Sequence, residues 1–312
     1  MEFVLTNKNG MRITADSKGC VLKEIFFDGQ NMICTPPYAA AVIGRIAGRI
    51  SHAKFVLSGK TYELPKNEND NQLHGNHEFD RNADWQGEVK DNQIIFTYTS
   101  PKDINGFPGT VDVKVTYTLS DDNELRIDYF ATTDEETLLN LTNHAYFNLN
   151  KTENEIANHI LTANTKYFVP LKDDLTPTGE LALVDGTTFD IRAGRKILDA
   201  IESEDSQNVI AKNGFDHAFV FADCENFDLY TNDKVHSATL ECPESNRKVV
   251  MRTSYPCFVC YTGNQMKERP HMGVCLEAQL LPDAINNEGF GSIILEPEKP
   301  FSHFVSYKFE VV

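Results

Sequence analysis

Apolar and polar residues alternate along much of the chain, which is the pattern of half-buried β-strands. Apolar side chains occupy every second position of residues 111–119 (VDVKVTYTL) and of residues 125–129 (LRIDY). The polar turn SDDN (120–123) separates these two segments, so we predict a β-hairpin. Residues 94–99 and 305–311 predict further strands. The only helical pattern worth noting covers residues 196–201, where we predict one short helix.

Turn residues recur throughout, and no long linker, low-complexity tract or fixed-period repeat interrupts the pattern. Many strands with frequent turns in one uninterrupted chain predict an all-β fold, a large antiparallel β-sandwich with few short helices. We expect residues 1–312 to form a single domain. Functional residues on such a fold usually lie on one concave face or on the loops at its rim.

The charge of the chain narrows the possible partners. Its 312 residues contain 46 Asp and Glu against 29 Lys and Arg, a formal net charge of -17. This balance disfavours nucleic acids and anionic membranes and fits a small neutral molecule. The N-terminal segment lacks the features of a signal peptide, and no apolar run is long enough to span a bilayer. We therefore expect a cytoplasmic monomer or homodimer whose seven cysteines are reduced.

Residues 138–149, LLNLTNHAYFNL, pass from an apolar segment into a polar one that contains His144. A histidine in this position, flanked by amides and aromatic rings, can be oriented and partly dehydrated. Such surroundings tune an imidazole for proton transfer. Two interpretations stay open: His144 is a general acid or base, or it caps a strand through a backbone hydrogen bond.

Residues 274–281, VCLEAQLL, place Glu277 inside an otherwise apolar strand. A buried carboxylate costs several kcal/mol unless it is paired, so this position needs a reason. On a strand, Glu277 and Gln279 share one face, while Leu276 and Ala278 share the other. Either the first face is open to solvent, or Glu277 is a base whose pKa is raised by burial.

Two segments contain basic residues with more than one interpretation. GRIAGR (44–49) lacks the spacing of a phosphate-binding loop, and by itself it reads as a turn with two solvated arginines, Arg45 and Arg49. LHGNH (73–77) places His74 and His77 three residues apart, a spacing that could begin a metal site. No nearby segment supplies recognisable further ligands, so we expect no metal.

Two further segments carry polar or thiol groups next to apolar stretches. NGFDHAF (213–219) contains Asp216, which is either a turn cap or a sugar ligand, because one carboxylate can accept bonds from two hydroxyls. CFVC (257–260) has a single pair of cysteines, and residues i and i+3 of a strand face opposite ways. We therefore interpret Cys257 and Cys260 as core residues.

Taken together, six segments in collinear order resemble the aldose 1-epimerase (galactose mutarotase) family. They span nearly the whole chain: GRIAGRI (44–50), LHGN (73–76), GFPG (106–109), NLTNHAYFNL (140–149), NGFDHAF (213–219) and EAQLLPDAIN (277–286).

The resemblance implies a β-supersandwich that interconverts the α and β anomers of a free hexose such as galactose or glucose, with no metal and no organic cofactor. By match to the family motifs, Glu277 would be the general base at the anomeric hydroxyl and His144 the general acid at the ring oxygen. Arg49, His74 and Asp216 would hold the sugar, with Gln279 nearby. We expect nearby carboxylates to raise the pKa of His144 toward neutrality.

The chain departs from the family at one position. Family members commonly have Asn before the second arginine of the first motif, where this chain has Gly48. An amide there could hydrogen-bond a sugar hydroxyl, and glycine cannot. The departure concerns sugar binding rather than the acid–base pair.

Three other functions remain possible from the sequence. An epimerase for a hexose 6-phosphate would need a cluster of Arg or Lys at the pocket rim, which the matching motifs lack. A non-catalytic carbohydrate-binding protein on the same fold would not need both Glu277 and His144. A metal hydrolase would have to be built on His74 and His77.

Overall fold

The computed structural model describes residues 1–34, 40–152 and 154–312. Strands make up most of the regular structure in these residues, and neighbouring strands of both large sheets run antiparallel. The two α-helices of the described residues have five residues each. The predicted all-β class is therefore confirmed.

Ten short strands form the N-terminal part of the described chain. They are β1 (Glu2–Thr6), β2 (Arg12–Asp16), β3 (Val21–Phe27), β4 (Gln30–Asn31), β5 (Ile33–Cys34), β6 (Val42–Ile43), β7 (Arg49–Ile50), β8 (Lys54–Leu57), β9 (Lys60–Glu63) and β10 (Gln72–Leu73).

The middle of the chain contains the longer strands of the first large sheet together with several short ones. They are β11 (Gln86–Lys90), β12 (Gln93–Ser100), β13 (Val111–Leu119), β14 (Glu124–Thr133), β15 (Thr137–Leu138), β16 (Thr142–Asn143), β17 (Tyr146–Phe147), β18 (Ile160–Ala163), β19 (Thr165–Phe168), β20 (Ala182–Leu183) and β21 (Arg195–Lys196).

The C-terminal part begins with the two helices and ends on the longest strand. Its elements are α1 (Ile197–Ile201), α2 (Ser206–Ile210), β22 (Asp216–Phe221), β23 (His236–Cys242), β24 (Arg247–Thr253), β25 (Cys257–Tyr261), β26 (Val274–Gln279), β27 (Ile294–Leu295) and β28 (Phe301–Val311).

A nine-stranded sheet has the order β11-β12-β13-β14-β28-β24-β23-β18-β21. The predicted hairpin is present, with Leu119 opposite Leu125 at its closed end. The alternating positions of β13 behave as predicted, since Val113, Val115 and Tyr117 are all buried. The predicted strands at 94–99 and 305–311 lie within β12 and β28, and the predicted helix corresponds to α1.

A seven-stranded sheet has the order β20-β19-β22-β25-β26-β17-β5 and packs against the nine-stranded sheet. The Tyr307 hydroxyl on β28 donates to the carbonyl oxygen of Leu276 on β26 at 3.0 Å. The ring centroid of Phe147 on β17 lies 4.8 Å from that of Tyr307. The core of the sandwich therefore lies between these two sheets.

Both faces of strand β26 are buried, whereas a strand of an antiparallel sheet commonly has one face exposed to solvent. Val274, Leu276 and Ala278 alternate along β26 and all belong to the hydrophobic core. Glu277 and Gln279 therefore point to the opposite face, where further segments cover them. This covered outer face of the seven-stranded sheet holds the candidate site.

Arg45 is completely buried, so the interpretation of residues 44–49 as a turn with two solvated arginines is wrong. Its guanidinium donates to the carbonyl oxygens of Pro108 and Gly109 at 2.8 and 3.0 Å and to the Ser100 hydroxyl at 2.8 Å. A buried guanidinium is tolerated when acceptors surround it in this way. Arg45 thus joins the GRIAGRI and GFPG segments.

No disulfide joins any of the seven cysteines, all of which lie within the described residues. Cys257 and Cys260 are both buried in β25 as members of the hydrophobic core, as predicted. Within residues 1–34, 40–152 and 154–312, no helix has the length and apolar character needed to cross a membrane.

Candidate functional site

A cavity of about 340 Å³ lies over the outer face of the seven-stranded sheet. This volume is in the range of small-molecule binding sites. Its lining includes all six residues singled out from the sequence, so the fold brings them together: Arg49, His74, His144, Asp216, Glu277 and Gln279.

Strand register explains how the floor of the cavity is built. Asp216 on β22 is opposite Tyr261 on β25, and Val259 on β25 is opposite Glu277 on β26. Tyr146 on β17 is opposite Cys275 on β26. Directly opposed residues of antiparallel strands point to the same face, so acidic and aromatic side chains from four strands converge on one surface.

Glu277 is only 3% exposed, so the alternative that its face of β26 is open to solvent is wrong. Burial raises the pKa of its carboxyl group to about 8, and the nearby Arg49 partly opposes this shift. The carboxyl group is thus a proton acceptor that titrates near neutrality rather than in the acid range. This agrees with the alternative interpretation of Glu277 as a base with a raised pKa.

The backbone of His144 is held between β16 and the residues before β6. Its amide donates to the carbonyl oxygen of Ala41 at 3.0 Å, and its carbonyl oxygen accepts from Ala40 at 2.9 Å. The Asn140 side chain donates to the carbonyl oxygen of Leu280 at 3.1 Å and accepts from the Leu280 amide at 2.9 Å. Asn140 therefore ties the histidine segment to the end of β26 and fixes His144 relative to Glu277.

The His144 ring reaches into the cavity, so it does more than cap a strand. Its Nε2 lies 3.5 Å from Oε1 of Glu277, and its Nδ1 lies 3.3 Å from Sγ of Cys275. The ring stacks on Tyr146, with centroids 4.9 Å apart, and meets His74 edge to face at 5.5 Å. An oriented imidazole beside a carboxylate is an arrangement suited to proton exchange.

The expected rise in the pKa of His144 is wrong. Burial lowers its pKa below the usual value, and the attraction of Asp216 recovers only part of the loss. The reason is that desolvation disfavours the charged imidazolium more strongly than the backbone hydrogen bond and the carboxylates of Asp216 and Asp80 together favour it.

Arg49 is held by two carboxylates. Its Nε and second guanidinium nitrogen donate to the two oxygens of Glu68 at 2.5 and 2.9 Å, which is a bidentate pair. Another guanidinium nitrogen lies 4.0 Å from Oδ2 of Asp216. Burial raises the pKa of Asp216 to about 7, although Arg49 lowers it. Asp216 is therefore a largely enclosed carboxyl group of the cavity wall rather than only a turn cap.

Gly48 supports His74 through its backbone. Its amide donates to Nδ1 of His74 at 3.2 Å, which leaves the proton of a neutral ring on Nε2. Burial lowers the pKa of His74 well below its usual value, with His144 and Arg49 adding to the effect. The φ angle of Gly48 is +77°, a conformation that glycine adopts without strain.

Gln279 has an unused hydrogen-bonding atom. Its Nε2 donates to the carbonyl oxygen of Leu280 at 3.3 Å, whereas its buried Oε1 has no partner among the described residues. Leaving a buried acceptor unpaired costs free energy. A ligand hydroxyl in the cavity could supply the missing donor.

The sequence analysis missed several residues of the cavity wall. Tyr146 lies two residues after His144, so the two-residue period of a strand could have identified it. Glu68 lies in a polar loop that carries no pattern pointing to Arg49. His77 and Asp80 also line the cavity, with Nδ1 of His77 3.1 Å from Oδ2 of Asp80.

His74 and His77, whose spacing could begin a metal site, do not converge with further ligands among the described residues. Their ring centroids are 6.3 Å apart. Among residues 1–34, 40–152 and 154–312, neither belongs to a group of three converging ligand side chains.

The chain is similar in sequence and in structure to aldose 1-epimerases and galactose mutarotases. The sequence model of the family described as aldose 1-epimerase matches residues 1–308. The chain is 35% identical to galactose mutarotase of Rattus norvegicus over 286 residues, which cover 88% of this chain and 80% of that protein. It is 30% identical to aldose 1-epimerase of Escherichia coli K12 over 304 residues, covering 93% and 84% of the two chains.

Solved structures gave the same result. A C. elegans homologue of the aldose epimerases superposes with a TM-score of 0.87 at 25% identity, covering 100% of this chain and 99% of that one. Galactose 1-epimerase from Lactobacillus acidophilus superposes with a TM-score of 0.85 at 28% identity, covering 99% and 94%.

Proposed function

The chain belongs to the aldose 1-epimerase family, and from that premise we propose that Glu277 and His144 are the acid–base pair of its reaction. The enzyme is an isomerase that interconverts the α and β anomers of an aldose. One observation carries the assignment: a buried carboxyl group and an imidazole face each other at 3.5 Å on the floor of the cavity.

Ring opening follows from the chemistry of these two groups. The Glu277 carboxylate takes the proton of the anomeric hydroxyl, the electron pair of that O–H bond forms the carbonyl at C1, and the C1–O5 bond breaks. The O5 atom takes a proton from Nε2 of the His144 imidazolium. Rotation about C1–C2 presents the other face of the aldehyde, and the same transfers in reverse close the ring. The reaction needs proton transfer only, so we propose that it uses no cofactor.

Ring opening needs the pair in the opposite protonation from the one that burial favours. The reaction moves one proton across the pair, so the starting and ring-opened states carry the same total charge. Burial raises the pKa of Glu277 and lowers that of His144, which places the shared proton on Glu277 when the cavity is empty. Sugar binding must then favour its transfer to His144, and the nearby Asp216 assists because its carboxylate stabilises the imidazolium.

Four other residues are proposed to hold the sugar: Arg49, His74, Asp216 and Gln279. Arg49 and Nε2 of His74 offer donors, while Asp216 and the unpaired Oε1 of Gln279 offer acceptors. Pairing every hydroxyl with a fixed partner orients C1 and O5 toward Glu277 and His144, and orientation of this kind lowers the barrier of the chemical step.

We propose a neutral aldose such as galactose or glucose as the substrate. The cavity wall carries four carboxyl groups, Glu68, Asp80, Asp216 and Glu277, against two guanidinium groups. Arg49 is already bound to Glu68, and Nε of Arg81 lies 3.2 Å from Asp80. A phosphate dianion would therefore meet guanidinium groups that carboxylates of the same wall already neutralise.

Polarimetry on freshly dissolved α-anomers tests both the activity and the substrate class. We expect kcat/KM for galactose and glucose to exceed that for galactose 6-phosphate and glucose 6-phosphate by at least tenfold. Long-range repulsion is screened within about 8 Å at physiological salt, so the preference should persist when salt is raised. Equal or better turnover of the phosphorylated sugars would reject the neutral-sugar proposal.

The pH dependence should be bell-shaped with its plateau close to neutrality. Glu277 and His144 can catalyse the reaction only when the two groups together carry a single proton. Below the lowered pKa of His144 both groups are protonated and Glu277 cannot accept. Above the pKa of Glu277, about 8, both are deprotonated and His144 cannot donate. We expect kcat/KM to fall on the acid side, below the lowered pKa of His144, and on the alkaline side above about pH 8, with limbs that belong to the coupled cluster including Asp216. A rate independent of pH from 5 to 9, after subtraction of the uncatalysed reaction, would exclude the pair.

Replacement of Gly48 by asparagine should lower KM for galactose or glucose several-fold and leave kcat nearly unchanged. A new neutral hydrogen bond contributes roughly 0.5–1.5 kcal/mol, and a contact remote from C1 acts on binding alone. A Cβ at this position would lie 3.4 Å from Cβ of Pro282 and 3.9 Å from Nε2 of Gln279, which are ordinary contacts. The positive φ opposes the gain, although Asn tolerates this region better than most residues.

The matched control is Gly48→Ala, which carries the same backbone strain without an amide. Steady-state kinetics should show a raised KM for the alanine variant and a lowered one for the asparagine variant. If both variants raised KM, the backbone of Gly48 and its support of His74 would be the feature that matters.

We further propose that residues 1–312 form a single domain that acts as a monomer or homodimer. Strand β28 at the C-terminal end is inserted between β14 and β24, so distant parts of the chain share one sheet. A cytoplasmic location is supported by five cysteines that are buried and not disulfide-bonded.

A further inference from the structure

A second group of reactive side chains lies outside the sugar cavity, where β22 ends and β23 begins. It consists of Asp223, Cys224 and His236. Sγ of Cys224 is 3.2 Å from Nε2 of His236, and Nδ1 of His236 is 3.0 Å from Oδ1 of Asp223. One ligand atom from each residue can be chosen so that all three lie within 4.8 Å of one another.

The three donor types are those that zinc prefers in proteins: thiolate sulfur, imidazole nitrogen and carboxylate oxygen. Tetrahedral bonds of about 2.3 Å to sulfur and about 2.0 Å to nitrogen imply an S···N separation of about 3.5 Å. The separation of 3.2 Å between Cys224 and His236 needs only a small adjustment to reach it. The Asp223 side chain is 57% exposed, so its carboxylate is free to rotate either into the metal shell or onto Nδ1 of the ring.

The His236 ring is already oriented. Its side chain is 4% exposed and stacks on Phe221, with centroids 4.7 Å apart and planes 11° apart. A carboxylate on the second nitrogen of a ligating histidine fixes the ring and strengthens the bond to a metal. Cys224 and His236 are thus presented in the geometry of a metal-binding pair.

The surroundings attract cations and leave room for one. The three residues lie on the wall of a cavity of about 410 Å³, which also carries the carboxyl groups of Glu225 and Asp233. Among the described residues of this wall, Lys234 is the only lysine, and there is no arginine. None of the wall residues belongs to the sugar cavity.

We propose that Asp223, Cys224 and His236 form a binding site for a divalent cation of the zinc class. On binding, the Cys224 thiol releases its proton to solvent, and the thiolate sulfur and Nε2 of His236 each donate a lone pair to the ion. The Asp223 carboxylate turns from Nδ1 of the ring to the ion, and water completes the shell. The ion joins the two ends of the 223–236 loop, so it stabilises the edge between β22 and β23 without entering the reaction.

A nucleophilic cysteine is the rival interpretation, because a thiol, an imidazole and a carboxylate in this order also resemble a catalytic triad. A nucleophile requires an accessible thiolate in the metal-free protein. Burial raises the pKa of the Cys224 thiol to about 12, and the neighbouring Asp223 adds to the rise. Alkylation of Cys224 with and without Zn²⁺ distinguishes the two interpretations.

The test is a titration of the full-length, chelator-treated enzyme with Co²⁺, a zinc substitute with visible absorption. We expect one equivalent to bind and to give both thiolate-to-cobalt charge transfer and the d–d bands of a tetrahedral site, and Zn²⁺ to displace it. Cys224→Ser should abolish the charge-transfer band, and His236→Gln should weaken binding at least tenfold. Cys34→Ser removes another partly exposed cysteine and should change neither.

Cys275 provides the decisive comparison, because it forms a second three-ligand group with His144 and Glu277 in the sugar cavity. A band that survives in Cys224→Ser but disappears in Cys275→Ala would place the ion in the sugar cavity and overturn the proposal. Inhibition of anomer exchange by the first equivalent of Zn²⁺ would do the same. Absence of any thiolate band in the wild-type protein would also overturn it.

A second measurement covers the case in which Cys224→Ser fails to fold. Alkylation of the native enzyme by iodoacetamide, mapped by peptide mass spectrometry, should be at least tenfold slower at Cys224 when Zn²⁺ is present and unchanged at Cys34. Rapid alkylation of Cys224 in the metal-free enzyme, unaffected by Zn²⁺, would favour the nucleophile and reject the metal site.

Discussion

Glu277→Gln should lower kcat/KM for anomer exchange by about 10²–10⁴-fold, the usual loss for a general base. Glutamine has nearly the same shape as glutamate but cannot accept the proton of the anomeric hydroxyl. Sugar binding should persist, so a transition in ligand titration should remain while turnover disappears. Polarimetry at pH 7 with α-galactose gives the rate, and normal turnover in a folded variant would remove Glu277 from the mechanism.

The same substitution should stabilise the protein near neutral pH. The pKa of Glu277 is about 8 in the folded protein, above its ordinary value of 4.5, so the wild type loses stability as pH rises between these values. Glutamine stays neutral and escapes that loss. We expect Tm of the variant to match the wild type near pH 4.5 and to exceed it by a few degrees at pH 8.

Glu78→Gln is the matched control, because Glu78 is also buried and burial also raises the pKa of its carboxyl group. Glu78 accepts hydrogen bonds from Tyr98 and Ser100 and does not line the sugar cavity. Its replacement should change stability and leave kcat within about twofold. Equal loss of activity in both variants would mean that a buried charge, not the position of Glu277, matters.

His144→Asn should cause the second large loss, again about 10²–10⁴-fold in kcat/KM. The asparagine amide can occupy the position of Nδ1 near Cys275, but it places no titratable group where Nε2 faces Glu277. The O5 atom of the sugar then loses its proton donor, the Nε2 atom that lies 3.5 Å from Glu277 in the wild type. Retention of near wild-type turnover would exclude His144 as the acid.

The double variant sharpens this test. If the two residues act as one unit, Glu277→Gln and His144→Asn together should cost little more than either alone, because removing one member already disables the pair. If the fold-losses of the two single variants multiplied in the double variant, Glu277 and His144 would have independent roles. His303→Asn is the control for histidine loss, since His303 is buried on β28 and contacts Ser254 and Leu229 outside the sugar cavity.

The fold class was readable from the sequence because strand alternation is a local property. The side chains of β13 and β14 alternate between core and solvent as their residue types indicate. The placement of Glu277 and Gln279 on one face of β26 follows from the same two-residue period. Five of the six motifs, all except GFPG, contain cavity residues, and each of them is a short contiguous segment that can be recognised in the sequence.

What the sequence could not decide depended on contacts between distant segments. Arg45 is buried because acceptors 55 to 64 residues away surround it, and His144 faces Glu277 because Asn140 binds Leu280 across 140 positions. The predicted direction of the His144 pKa shift was wrong. The nearby acidic residues were visible in the sequence, whereas the loss of water around the ring was not.

The sequence by itself thus determined which residues alternate, which segments carry ionisable groups and which family the chain resembles. Only the tertiary structure decided the distances, the burial of Glu277 and the pairing of Arg49 with Glu68. The physical reason is that a strand's periodicity is set by its own backbone. A proton affinity is set by solvent exclusion and by charges that other segments bring within a few ångströms.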